Sequence, residues 1–245
     1  MKFADRTAVI TGGAGNIGRA TAEKFRAWGV SVALTDVNGE KAEAAAAELR
    51  AKGGDVRAYR MDVQDKADVC GCAEKILKDF GRIDILVNNA GVFRVPPALF
   101  SEMTDDQWNF MIDVNLNSVF RVTKAFLPSM LENGYGRIIN LASIAGEVGK
   151  PYCIGYSTAK AGVIMMTKVL AMELAAKNIT VNCVSPGMID YIQRPTNATW
   201  MGRYGTPEEA AEVILFLASD DTSFVTGCDY TVDGGRILGP RFEKL

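Results

Sequence analysis

The chain is predicted to fold as an α/β protein around a doubly wound parallel sheet with helices on both faces. Three observations predict this. Short apolar, often β-branched runs alternate with helix-like segments along the chain. The first run ends in a glycine-rich turn, Thr11-Gly-Gly-Ala-Gly-Asn-Ile-Gly18, that opens a helical pattern. Later runs close on Asp36, Asp62 and Asn89. Such alternation gives right-handed crossovers and a parallel sheet, and ligands of such sheets lie across the carboxyl ends of the strands.

With 245 residues, 48% of them hydrophobic, the chain can bury a full core, and one domain over residues 1–245 is expected. A net charge of -2 without basic runs argues against a nucleic-acid or anionic-membrane partner. The N-terminal stretch lacks an apolar signal core and no run reaches the length of a membrane span, so a cytoplasmic location is expected. Five cysteines without a C-x-x-C pair fit a reducing compartment. The absence of histidine excludes His general bases, His-held zinc and Ser-His-Asp chemistry, and no metal is expected.

Arg6 to Ile10 reads as the first strand, and the helix after the glycine turn runs through Trp28. Glycines let a backbone approach a pyrophosphate, and the following helix offers it free N–H groups. Ser31 to Leu34 is the second strand. Asp36, 18 residues beyond Gly18, could accept from both hydroxyls of an adenosine ribose and repel a 2′-phosphate; the alternative is a cap for the next helix. Lys41 to Lys52 is an alanine-rich helix stopped by Gly53-Gly54, and Val56 to Met61 is a third strand ending at Asp62, placed to meet an adenine amino group. A helix from Lys66 to Phe80 leads to the strand Ile83 to Val87, closed by Asn88-Asn-Ala-Gly91.

Thr104 to Leu131 reads as one long helix holding Asn115, a mildly unfavourable residue there. Arg137 to Leu141 is a fifth strand with Ser143 just past its end. A helix from Gly155 to Ala176 follows, then the strand Thr180 to Val184, ended by Ser185-Pro-Gly187. Thr206-Pro-Glu-Glu209 starts a helix that ends near Ser219, with Thr206 as cap and proline in the first turn. Cys228 to Val232 is the last strand.

Tyr156 and Lys160 lie four residues apart on one helix face. A tyrosine of ordinary pKa about 10 needs a drop of about 3, roughly 4 kcal/mol, to serve as a base near neutrality. A cation about 4 Å away at an effective dielectric of about 20 offers about 4 kcal/mol before desolvation. Y-x-x-x-K alone also recurs on solvated helices, so the surrounding residues decide.

From Thr7 to Gly235, the glycine turn, Asp62-Val63, Asn88-Asn-Ala-Gly91, Asn115, Ser143, Tyr156 with Lys160, and Pro186-Gly187 stand in an order and spacing that resembles the short-chain dehydrogenases/reductases. The resemblance implies a seven-stranded Rossmann-type sheet and a catalytic tetrad of Asn115, Ser143, Tyr156 and Lys160. In it Tyr156 exchanges a proton with the substrate oxygen, Ser143 holds that oxygen, Lys160 lowers the Tyr156 pKa and bonds a ribose, and Asn115 anchors a water. The implied cofactor set is Gly12, Gly15, Asn16, Ile17, Gly18, Asp36, Val37, Asp62, Val63, Asn89, Ala90, Gly91, Pro186 and Gly187, with Tyr156 and Lys160. Three features depart from the pattern. Asn16 stands where glycine or alanine is usual, and its tolerance of left-handed backbone is expected to preserve the turn. Met188-Ile-Asp-Tyr191 lacks the threonine that contacts the carboxamide. Only 18 residues separate Gly187 from Thr206, so the substrate lid over about 188–205 is short, or lacks a part that relatives carry.

The expected activity is hydride transfer between NAD and a secondary alcohol or ketone, such as a sugar or polyol. Asp36 and the absence of Lys or Arg in the turn before Gly18 favour NAD over NADP. The alternatives are an NADPH-dependent 3-oxoacyl thioester reductase and a nicotinamide-binding regulator without turnover. Arg94, Glu147, Tyr152 and Tyr191 are the candidate substrate contacts. Apolar residues around the helices at 104–131 and 155–176 suggest a symmetric partner, and the resemblance points to a homotetramer or a homodimer.

Overall fold

A computed structural model describes residues 3, 5–93 and 98–240. Seven parallel strands form one sheet in the order β3-β2-β1-β4-β5-β6-β7. They are β1 (Thr7–Thr11), β2 (Ser31–Asp36), β3 (Val56–Arg60), β4 (Ile85–Asn88), β5 (Gly136–Leu141), β6 (Ile179–Pro186) and β7 (Asp229–Val232). The chain runs outward from β1 to β3 and returns to place β4 beside β1, which opens a crevice at their carboxyl ends.

Period-two side-chain alternation divides the core between the two faces. Ala8, Ile10, Val32, Leu34, Ile85, Val87 and Ile139 pack in one cluster with Phe25 of α1 (Asn16–Ala27), Leu49 of α2 (Gly39–Ala51) and Ile214 of α8 (Pro207–Ala218). Their neighbours Val9, Ala33, Leu86 and Ile138 join Ile76 of α3 (Lys66–Phe80), Phe126 of α5 (Ser118–Asn133) and Ala171 of α7 (Ile154–Leu174) on the other face. A strand buried on both sides is mostly apolar, and all five residues of β1 and six of β5 are buried, the polar ones among them, such as Thr11 and Asn140, being hydrogen-bonded.

Two places differ from the sequence expectation. The long helix is not uniform: α4 (Asp105–Ile112) passes through a π-helical turn at Asp113–Asn117 before α5. There the Asn115 side chain donates to the Met111 carbonyl four residues back, an interaction that widens the local turn. After β5 a short helix, α6 (Ile144–Glu147), appears where no element was expected, capped by the Ser143 hydroxyl accepting from Ala145 N at 3.2 Å.

The segment from 188 to 205 is folded back on itself through bridges between Ile189 and Gly205 and between Pro195 and Arg203. Arg203 grips Glu209 at the start of α8 through two bonds of 2.9 and 2.6 Å, and holds that carboxyl down to about 2. Met201 N donates to the Gly234 carbonyl at 3.1 Å, tying the segment to the C-terminal turn. Among the described residues no helix is long and apolar enough to cross a membrane.

Candidate active site

β1 delivers the chain into the glycine turn with Gly12 at φ +60°. A Cβ there would stand 2.9 Å from the Ala90 Cα, and one on Gly18 would stand 2.5 Å from the Gly12 carbonyl oxygen. Glycine is therefore required at both by backbone conformation or close approach. Gly15 caps α1 without a side-chain bond, and no acidic residue lies in the first turn. Its N–H groups suit an anion, and Gly15, Asn16 and Ile17 line a cleft of about 760 Å³. Asn16 is the first residue of α1 and does not have positive φ, so left-handed tolerance plays no part in its presence.

The Asp36 carboxylate lines the same cleft, accepting from Ala14 N at 3.2 Å and from Asn38 N at 3.0 Å. The cap of α2 is Asn38, not Asp36. Arg60, opposite Asp36 in the β2–β3 register, is paired with Asp68 at 2.7 Å. Asp62 closes back on its own loop by accepting from Gln64 N, and with Val37, Val63 and Gly18 it does not line the cleft.

Asn89 organises the turn from the neighbouring strand end. Its Nδ2 donates to the Thr11 and Gly12 carbonyls at 2.9 Å each, while Asn89 N and Ala90 N both donate to the Thr11 hydroxyl. Asn88, one residue earlier, donates to Thr123 and to Asn140, and Asn140 donates to Thr167 at 2.9 Å. This buried row links β4, β5, α5 and α7, and α7 carries Tyr156 and Lys160.

Asn115, fully buried, donates to the Val92 and Met111 carbonyls and accepts from Val92 N. Both amide hydrogens are thereby used, so any further partner must donate to Oδ1. Gly91 belongs beneath it, since a Cβ there would stand 2.9 Å from Asn115 Oδ1. Ser143, two residues past the end of β5, lines the cleft with Tyr156, and its hydroxyl acts to lower the phenol's pKa. Gly146 lets α6 rest directly on the Lys160 backbone, where a Cβ would meet the carbonyl carbon at 2.6 Å.

Tyr156 and Lys160 share a face of α7, yet their expected coupling takes a different form here. Lys160 is buried and donates to the Leu141 carbonyl at 2.6 Å, with its nitrogen 5.8 Å from the centre of the Tyr156 ring. Burial lowers the lysine to about 8. Burial also raises the Tyr156 phenol above its ordinary value. Ser143 acts to bring the phenol down, while Lys160 uses one of its three N–H donors on the strand end.

Of the cofactor residues, Gly12, Asn89, Ala90, Gly91, Pro186 and Gly187 also line the cleft, together with all four tetrad residues. Gly187 lies against the C-terminal turn, where a Cβ would come within 2.7 Å of the Asp233 Cβ. The substrate candidates fare differently. Glu147 accepts from Thr231 at 2.9 Å, Tyr152 is half exposed at φ +65°, and Tyr191 points its hydroxyl at the Asn16 carbonyl; none lines the cleft. Arg94 lies outside the described residues. In their place stand Phe93, Lys150, Met188, Ile189, Tyr204 and Arg236. Phe93 follows the Asn88–Gly91 strand end by two residues, and Met188 and Ile189 follow Gly187 directly, so these three had a local signal. The Phe93 ring meets Tyr156 edge-on at 5.0 Å.

A family model described as Enoyl-(Acyl carrier protein) reductase matches residues 12–236. The chain is 40% identical to the 3-oxoacyl-[acyl-carrier-protein] reductase FabG of Thermotoga maritima, over 97% of this chain and 100% of that one. It is 38% identical to a 2-dehydro-3-deoxy-L-rhamnonate dehydrogenase (NAD(+)) of a Sphingomonas species, over 96% of each. It is 40% identical to a cyclohexanol dehydrogenase of an Acinetobacter species, over 95% of each. The crystal structure of gox2181 superposes with a TM-score of 0.92 at 35% identity, covering 97% of this chain and 98% of that one. With the cleft geometry these matches establish that the chain belongs to the short-chain dehydrogenase/reductase family, as an NAD(P)-dependent oxidoreductase of CH–OH and keto groups.

Proposed function

We propose that the chain transfers hydride between NAD and a small hydroxylated substrate, oxidising a secondary alcohol or reducing its ketone. The observation that carries this is the placing of the Tyr156 phenol and the Ser143 hydroxyl in the same cleft as Asp36 and the start of α1. The turn fits a dinucleotide: Gly12, Gly15, Asn16 and Ile17 line the cleft at the free N–H end of α1, and Asp36 presents a carboxylate where an adenosine ribose would bind. When bound, nicotinamide supplies the hydride acceptor or donor.

The chain's own residues handle the proton and the geometry. Tyr156 takes the hydroxyl proton in oxidation and returns it in reduction. Ser143 holds the same oxygen against the phenol, and its placement at the cap of α6 fixes the approach. Lys160, lowered to about 8, is mainly charged at pH 7 and keeps a cation beside the proton route. Asn115 positions the Val92 loop that walls the site.

Asp36 favours NAD, because Arg60 is engaged by Asp68 and a 2′-phosphate would face a carboxylate. The Sphingomonas relative, whose name includes NAD(+), supports that choice. A second reading, NADPH-dependent reduction of 3-oxoacyl thioesters, is supported by the 40% identity to the Thermotoga reductase. Nicotinamide reduction across sugars, polyols, hydroxy acids and simple secondary alcohols, with NAD and NADP in parallel and Tyr156→Phe as blank, separates the two. Turnover with NAD, lost in the variant, is expected. Reaction only on oxoacyl thioesters and only with NADPH would overturn the first reading.

We also infer a homotetramer, or otherwise a homodimer. Phe120 of α5 and Met165 and Met172 of α7 are exposed, by 76% at Met172, and suit a partner face. Light scattering that gives a monomer at working concentration would overturn this.

A further inference from the structure

Charge is divided along the cleft. Among the described residues its single acidic side chain is Asp36, at the glycine-turn end and already accepting two backbone N–H bonds. The other charged residues lining it are basic: Lys160, turned to the Leu141 carbonyl, with Lys150 and Arg236. The last two come from opposite directions. Lys150 follows α6 and places its ammonium 4.4 Å from the centre of the Phe93 ring, which itself meets Tyr156. Arg236 comes from the C-terminal turn and lays its guanidinium against the Met188 sulfur on the wall beyond Gly187.

The turn that carries Arg236 is rigidly built. Asp233 accepts from Gly235 N and from Ile237 N at 2.8 Å each, Gly235 has φ +82°, and Asp233 packs on Gly187. Among the described residues no carboxylate forms an ion pair with Lys150 or Arg236. An aromatic face and a thioether are weak partners for cations of this kind, and neither neutralises the charge. Two such cations lining one partly enclosed cleft give it a positive potential that solvent screens only in part.

We propose that Lys150 and Arg236 select a substrate bearing an anionic group, a carboxylate held beside the carbon that Tyr156 serves. The enzyme is on this view a dehydrogenase of hydroxy acids, and neutral polyols are poor substrates. The inference rests on the hydride-transfer reading above. A phosphate on a thioester carrier would meet the same two cations, and the test separates the two sources of charge.

Kinetics with NAD would compare linear aldonates of four to six carbons with polyols of equal length at 20 and 200 mM NaCl. The same measurements would be made on Lys150→Met and Arg236→Met. The expected result is a kcat/KM for the acids at least about tenfold above that for the polyols, falling with salt. Each substitution lowers the acid-to-polyol ratio about tenfold or more, mainly through KM. Binding is read separately by calorimetry on the holoenzyme, with butyrate against butyramide and with a phosphopantetheine thioester as the third probe.

Equal kcat/KM for acids and polyols, with butyrate and butyramide bound alike, would overturn the proposal and leave the alcohol chemistry standing. Binding of the thioester but not butyrate, lost in both variants, would assign the cations to a phosphate and overturn the carboxylate. Butyrate binding that depends on Lys150 and Arg236 without hydride transfer from any alcohol would support the anion site and overturn the hydride-transfer reading. Absence of both binding and turnover would overturn both.

Discussion

Lys160 donates to the carbonyl of Leu141, the last residue of β5, at 2.6 Å and so ties the catalytic helix to the end of the central sheet. The amine is lowered to about 8 by burial, below its unfolded value of about 10.4. Between these values the unfolded chain binds more protons than the folded one, so stability rises with pH across that window. Below it the buried charge costs on the order of 3 kcal/mol. Urea midpoints at intervals from pH 7 to 10 should show wild type gaining on Lys160→Met as pH rises above 8. Parallel profiles would show that the amine does not titrate in the fold.

Ser143 opposes the rise in the Tyr156 pKa that burial causes. Removing its hydroxyl leaves the phenol still higher, so the ascending limb of the pH profile for alcohol oxidation should move to higher pH in Ser143→Ala. The rate should also fall by about 10²-fold, as the substrate oxygen loses a partner. An unchanged limb would remove Ser143 from the acid–base pair. Helix α6 also loses its cap, and a stability change of about 1 kcal/mol is expected beside the kinetic one.

Asp36 holds Ala14 N and Asn38 N, and asparagine keeps an acceptor for one of them. Asp36→Asn should therefore keep the turn while removing the charge that repels a 2′-phosphate. The ratio of kcat/KM for NAD to that for NADP is expected to fall about 10- to 100-fold, or about 1.4 to 2.7 kcal/mol. A ratio that does not move would assign cofactor choice to other residues.

Gly18 faces the Gly12 carbonyl, with room for hydrogen only. Gly18→Ala should weaken cofactor binding, read by quenching of protein fluorescence. The protein should also lose about 1–3 kcal/mol of stability as the turn is pushed off Asn89. Gly71, where a Cβ meets nothing within 4 Å, is the matched control on α3; Gly71→Ala should be neutral or stabilising.

The sheet was legible because its signals are local. Apolar runs, the glycine turn and the cap Thr206 are each set by neighbours within a few residues, and β1 to β7 appear within two residues of where those runs lie. The tetrad rested on the family resemblance, not on local pattern, and the structure brings Asn115, Ser143, Tyr156 and Lys160 to one cleft.

What local pattern could not carry was the partner of each polar group. Glu147 meets Thr231 and Tyr191 meets Asn16 across 84 and 175 residues, which draws both from the substrate site to which their positions had assigned them. Lys150 and Arg236 reach the cleft from loops with no periodic signal. The sequence by itself determined the order of the elements, the residues at the strand ends and the chemistry they can perform. Only the tertiary structure decided that Lys160 turns to Leu141, that Asn89 braces the glycine turn, and that Lys150 and Arg236 reach the cleft. Hydrogen bonds and Coulomb interactions depend on distance and burial in space, and separation along the chain specifies neither.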